Sequence, residues 1–157
     1  MDIPIRYISP VFRPPSEAQS LILPVTNGCS WNKCTYCEMY TAPQKKFAVR
    51  DEDETLDAIR QCGAQFGSQV QRVFLGDGDA MALSTRRLMT VLEAIQQHLP
   101  AVRRVSTYCL PRNVRSKSVA DLGSPGSRTT VKENTLGVRA VWNKDRMFAY
   151  AVAGYGF

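Results

Sequence analysis

The sequence predicts an α/β fold built on a parallel sheet, and three observations predict it. Strand-length apolar runs at 20–26, 70–75 and 102–110 alternate with two segments of helical periodicity, and the connections between them are short. In such an order each helix carries the chain back across the sheet, so successive strands run in the same direction as parallel βαβ units. The two least ordinary loops, a cysteine cluster and a Gly-Asp-Gly-Asp turn, both follow directly on predicted strands. That is the end of the sheet at which α/β folds hold their ligands.

The elements follow in order. Pro4, Pro10, Pro14 and Pro15 deny residues 1–19 regular structure, and this segment is expected as an extended lead-in over the domain surface. Ser20-Leu21-Ile22-Leu23-Pro24-Val25-Thr26 is the first strand, ending at Asn27-Gly28; Pro24 lacks a ladder donor and disfavours a central place. Asp51, with Glu54 three residues on, opens an amphipathic helix whose Leu56, Ile59, Gly63 and Phe66 form one stripe before Gly67. Val70 to Leu75 is the second strand and breaks off at Gly76-Asp77-Gly78-Asp79. Ser84 or Thr85 caps the second helix, with Leu88, Val91, Leu92, Ile95 and Leu99 on its buried side and Pro100 as its stop. Val102 to Leu110 is the third strand, closed by Pro111.

Composition narrows the class. With 157 residues, 44% hydrophobic and 22% charged, the chain has the makings of one core and is not a disordered, fibrous or disulfide-stapled sequence. No apolar run approaches the roughly 18 to 20 residues that span a bilayer, and Met1-Asp2-Ile3-Pro4 does not open a signal peptide. A cytoplasmic protein with no membrane partner is expected. The net charge of +6 divides evenly, with 15 basic and 12 acidic residues in 1–122 and 5 and 2 in 123–157. It mildly favours an anionic partner, so RNA stays a candidate without a motif behind it. The doublets Lys45-Lys46, Arg86-Arg87 and Arg103-Arg104 read as solvated surface.

Three of the five cysteines, Cys29, Cys34 and Cys37, fall within nine residues as Cys-Ser-Trp-Asn-Lys-Cys-Thr-Tyr-Cys. An odd cysteine count without an export signal argues against a disulfide framework and for metal. Three thiolates on a tight loop suit an iron–sulfur cluster; a structural zinc site wants a fourth ligand from elsewhere, and a non-catalytic metal-binding module is the alternative reading. Cys62 and Cys109 read as core cysteines and His98 as a surface histidine.

The triplet after a first strand, with an aromatic residue before its last cysteine, resembles the cluster loop of the radical S-adenosylmethionine superfamily. Its four-residue first gap is wider than that superfamily's commonest spacing. The longer stretch Arg13 to Ala18, Ser20 to Leu23, Thr26, Gly28 to Cys37 and Met39-Tyr40 is similar to a bacterial branch that uses this gap, and the likeness continues through Val73 to Asp79 to about Leu122. The resemblance implies that Cys29, Cys34 and Cys37 each bind one iron of a [4Fe-4S] cluster, and that the fourth iron chelates S-adenosyl-L-methionine. Reductive cleavage then gives a 5′-deoxyadenosyl radical, with flavodoxin or ferredoxin as the kind of one-electron donor required. It further implies that Gly76, Asp77, Gly78 and Asp79 contact the methionyl amine and that Tyr36 meets the adenine. Ser106 and Tyr108 are placed to face the same pocket or are explained by strand alternation alone. No catalytic acid, base or radical relay is assigned, and the substrate is unknown.

The resemblance also implies a TIM-like barrel, of which residues 20–122 supply only the first βαβαβ part. Residues 123–157 form a divergent tail: Gly123-Ser124-Pro125-Gly126-Ser127-Arg128-Thr129-Thr130 has turn chemistry where the family has a helix. Reading one nucleotide later through codons for Gly123 to Thr129 permits Ala-Ala-Leu-Ala-Ala-Gly-Leu, so a frameshifted or truncated gene is the expectation, with doubtful turnover by this short chain. Val138 to Trp142 and Met147 to Val152 are expected as short strands or a hairpin. An open half-barrel would leave the edge of the third strand unpaired, an aggregation or dimerisation hazard.

Overall fold

The computed structural model describes residues 3–35 and 37–118, the side chains of Pro111 and Val114 apart, and the backbone of 128–131, 138–141 and 148–152. Strand β1 (Leu21–Pro24) leads through the two-residue β2 (Thr26–Asn27) into the cysteine loop, which returns through β3 (Ala48–Val49) to helix α1 (Glu52–Phe66). Then come β4 (Arg72–Gly76), α2 (Thr85–His98), β5 (Arg104–Tyr108), the short α3 (Pro111–Arg115), β6 (Arg128–Val131), β7 (Val138–Val141) and β8 (Phe148–Val152).

The α/β expectation holds. β1, β4 and β5 lie side by side and parallel, with Leu23 opposite Leu75 and Leu75 opposite Thr107. β1 sits at the sheet edge, where Pro24 costs no interior ladder bond. The other edge differs from expectation: β5 is not open, because β8 pairs with it in parallel, Ser106 opposite Tyr150. Strands form at 138–141 and 148–152 as expected, and among the described residues they belong to different sheets, β8 pairing with β5 and β7 antiparallel with β6. No described helix is long and apolar enough to cross a membrane.

Both helices begin as their sequences dictate. The Asp51 carboxylate accepts from Glu54 N at 2.9 Å, and Ser84 Oγ accepts from Arg87 N at 3.3 Å. The Glu54 side chain does not complete a capping box and pairs with Arg50 at 2.8 Å. One sheet face carries Leu23, Val73, Leu75 and Val105 into a core shared with Ile59 and Cys62 of α1 and Leu88, Val91 and Ile95 of α2. Burial of each such side chain stabilises by about 1.5–3 kcal/mol. Alternation sends Ile22, Phe74, Ser106 and Tyr108 to the opposite face, where Phe74 and Tyr108 meet edge-on at 5.2 Å.

The lead-in is more than a surface strap. Ile5 enters the helix-side core, Tyr7 donates its hydroxyl to Ile22 O at 2.8 Å, and buried Glu17 pairs with Arg104 at 2.7 Å. Arginines at the other doublets are tied down too: Arg87 reaches Glu52 at 3.0 Å and Arg50 O at 2.9 Å. Cys62 and Cys109 are core residues as expected, and His98 is half-buried at the end of α2.

Two predictions follow from this packing. A Cβ on Gly63 would stand 2.5 Å from His98 O, so the crossing of α1 and α2 requires glycine there. Gly63→Ala gains about 1 kcal/mol of helix propensity but loses about 1–3 kcal/mol to the clash, and its urea midpoint is expected to fall at unchanged slope; a rise would refute the close approach. Burial, then Cys62, against an opposing Arg13, pushes the Tyr7 phenol up to about 12 from 10.0. The folded state therefore favours the neutral phenol, and Tyr7 contributes stability that is whole below pH 10 and lost as pH rises towards 12. Tyr7→Phe is expected to cost about 1 kcal/mol near neutrality and to flatten the alkaline fall in denaturation midpoint.

Candidate functional site

The carboxyl ends of β1 and β4 are joined beyond the strands themselves. Val25 N donates to Gly76 O at 2.7 Å, Asp77 N to Thr26 O at 3.0 Å, and Thr26 Oγ1 to Asp77 O at 3.1 Å. The Gly76–Asp77 peptide is cis. These bonds bring the Gly-Asp-Gly-Asp turn against the root of the cysteine loop. Gly78, at φ 94°, lies so close that an added Cβ would stand 2.4 Å from Gly28 O and 3.0 Å from Cys29 N. Gly28, at φ 66°, would in turn drive a Cβ to 1.9 Å from Lys45 O. Glycine is required at both places by backbone approach as well as by dihedral angle.

The cysteine loop is closed at its base. β2 pairs antiparallel with β3, Thr26 opposite Val49, and the Asn27 side chain donates to Gln44 O at 2.8 Å and Lys46 O at 3.0 Å. Cys29, Cys34 and Cys37 are all half-buried free thiols on this loop. Tyr36 lies outside the described residues. Among the described residues no group of three His, Cys, Asp or Glu side chains stands together as a metal-holding set. The soft, uncommitted thiol donors suit an iron–sulfur cluster, so the case for a metal centre rests on donor chemistry and not on a preformed geometry.

The two aspartates of the turn are both buried and have different partners. Asp79 is fully buried and accepts from Ser30 Oγ on one oxygen and from Asn113 Nδ2 on the other. Arg112 donates to the same Ser30 hydroxyl, so α3, the cysteine loop and the turn share one network. Trp31, 47% exposed, carries the Arg112 guanidinium at 5.4 Å and the Lys33 ammonium at 5.9 Å from its ring centre. Asp77 forms an ion pair through Oδ2 with Lys45 Nζ, both side chains being almost wholly buried. Among the described residues Ser106 Oγ has no hydrogen-bond partner of strict geometry, and neither have Asp77 Oδ1 and Tyr40 Oη.

Sequence reasoning missed Lys45. Placed among the solvated doublets, it is instead completely buried, because Gly28 and Asn27 pin the backbone around it and deliver its ammonium to Asp77. Tyr40 was part of the similar stretch without a role; it is buried, edge-on to Phe12 at 5.4 Å, and burial followed by the nearby Asp77 carboxylate pushes its phenol far up. Burial, reinforced by Asp79 and opposed by Lys117, pushes Cys109 up to about 12, and burial raises Cys62 as well. Neither is a thiolate near neutral pH.

The chain matches no family model, no curated protein and no solved structure.

The buried ion pair yields the next prediction. Lys45→Met or Asp77→Asn alone leaves an uncompensated buried charge and is expected to cost about 3–5 kcal/mol. The double variant is expected to lose far less than the sum, a coupling that a double-mutant denaturation cycle measures. Additive losses would show that the two side chains do not form a pair.

Proposed function

We propose that the chain is a radical S-adenosylmethionine protein, in which Cys29, Cys34 and Cys37 bind three irons of a [4Fe-4S] cluster. The turn Gly76-Asp77-Gly78-Asp79 receives the methionyl end of the cofactor, and the parallel sheet is the first part of a TIM-like barrel. One observation carries this reading: two motifs some fifty residues apart, each suggestive alone, are packed backbone to backbone at Gly28 and Gly78. They meet at the carboxyl ends of adjacent parallel strands, the position at which α/β proteins build their sites.

When bound, the cluster and S-adenosylmethionine supply one-electron reduction of the sulfonium, giving methionine and a 5′-deoxyadenosyl radical. The chain's own residues do the rest. The three loop thiols hold iron and leave a coordination position to the cofactor. Gly78 and Gly28 let the turn and the cysteine loop pack backbone to backbone beside Cys29, which sets the position of that thiol relative to the turn. Asp79, bonded to Ser30 on one oxygen and to Asn113 on the other, fixes the loop and α3 on the turn. The electron comes from a donor such as flavodoxin or ferredoxin, and the substrate is bound by residues that this site does not include.

Anaerobic reconstitution followed by electron paramagnetic resonance of the reduced protein tests the reading. The expected result is a cluster signal that S-adenosylmethionine shifts and that Cys34→Ala abolishes. A colourless, zinc-loaded or cluster-free wild-type protein would leave only a metal-binding module or a bare fold.

A further inference from the structure

We propose that residues 3–16 guard the outer edge of β1, and that the surface they guard fits the same edge of a second copy of this chain. Neither role depends on the cluster chemistry proposed above.

β1 ends the described sheet on one side. Its alternate residues turn their backbone N–H and C=O groups away from β4, a row that pairs with foreign strands when left open. Val25 N reaches Gly76 O on the β4 side, so the outward positions are Ser20, Ile22 and Pro24. All three are blocked. Arg13 Nη1 donates to Ser20 O at 3.3 Å, Tyr7 Oη donates to Ile22 O at 2.8 Å, and Pro24 has no N–H to offer. Two of the three blocks come from the lead-in, so the protection travels with that segment.

The guard is fastened lightly. Glu17, buried and paired with Arg104 at 2.7 Å, is its fixed root. From Ile3 to Ser16 only Ile5 is buried. The other ties include the edge-on contact of Phe12 with Tyr40 and polar bonds within reach of solvent, Arg50 Nη1 to Arg6 O at 2.6 Å and Gln44 Nε2 to Ser9 O at 3.0 Å. A hollow of about 150 Å³ is lined by Pro4, Ile5 and Arg6 together with Leu23 and Pro24. Segments with few buried apolar contacts open at a lower free energy than the core. The lead-in can therefore leave β1 while the sheet stays folded.

The chemistry of the edge selects the occupant. Ile22 turns both an N–H and a C=O outward, the two groups that an antiparallel hydrogen-bonded pair exchanges. Across a two-fold axis Ile22 meets Ile22 of a second copy with two reciprocal bonds, and Leu21 lies opposite Leu23 on either side. Such a contact is self-complementary and closes at two chains. Pro24 then falls opposite Ser20 and supplies no donor, so a longer foreign strand gains no further bond there over β1 itself. Tyr7 holds the Ile22 oxygen that this pairing uses, so guard and partner compete for one acceptor.

The test uses the full chain as wild type, Tyr7→Phe, Arg13→Gln and the double variant. Sedimentation velocity over a wide concentration range reads association, and hydrogen exchange reads the amides of 3–24. The double variant is expected to exchange its lead-in amides at least tenfold faster than wild type and to dimerise as concentration rises, with the Ile22 amide gaining protection in the dimer. Ile22→Pro on that background removes the outward donor, leaves the β4 ladder untouched and is expected to restore the monomer. A double variant that stays monomeric, a dimer that survives Ile22→Pro or leaves the Ile22 amide unprotected, or a wild type that associates as strongly as the double variant overturns the inference. If Ile22→Pro unfolds the chain, the Ile22 amide decides. If the double variant itself fails to fold, Arg13→Gln decides by the same readouts, because it removes a single tie from an exposed residue.

Discussion

The ladder between β1 and β4 does not stop where the strands stop, and most of the molecule's organisation follows from that. Val25 and Asp77 continue it by backbone bonds to Gly76 and Thr26, so that two chain segments leave the sheet side by side. At the next step their backbones are nearly in contact at Gly28 and Gly78. A side chain at either glycine would separate them. Since Gly28 also rests on Lys45 O, separation would withdraw the lysine from Asp77 and open the base of the cysteine loop. The ion pair, the loop closure and the strand ladder are therefore one construction with a common failure point.

The sheet divides stability and chemistry between its faces. Leu23, Val73, Leu75 and Val105 pack against α1 and α2, a wholly apolar arrangement that supplies most of the free energy of folding. The other face holds Phe74 and Tyr108 beside Ser106 and Arg104, with the Glu17 carboxylate brought to it by the lead-in. Burial of such groups is costly unless each is bonded, and Ser106 Oγ has no partner among the described residues. The stable face holds the frame while the costly face keeps polar groups in place.

Much of this was legible in the sequence. Continuous apolar runs placed β1, β4 and β5, and a 3.6-residue periodicity placed α1 and α2, within a few residues, because β4 and β5 are buried on both faces and the helices on one. The Asp51 and Ser84 caps were legible for the same local reason, since a cap acts within its own four residues. The cysteine spacing and the Gly-Asp-Gly-Asp turn were visible as motifs, and only their contact was not. Lys45 was misread because its burial depends on Asp77, thirty-two residues away, and a Lys-Lys doublet in a turn looks the same whether solvated or enclosed. The pairing of β5 with β8 was illegible for a related reason: a parallel partner is chosen by long-range register, to which no local pattern testifies.

The five thiols are sorted by the same physics. Cys62 and Cys109 sit where desolvation disfavours charge, one in the helix-side core and the other just beyond β5, and burial holds both as neutral thiols. Metal ligation needs the thiolate, a form that the surroundings of those two disfavour. The remaining three lie half-exposed on a loop held at its base by Asn27 and β3 and further out by Ser30 on Asp79, beside Trp31, Lys33 and Arg112. Desolvation thus keeps two thiols neutral within the packed layers, while the loop leaves the other three partly open to solvent on the side where the turn and α3 meet it through Ser30, Asp79 and Arg112.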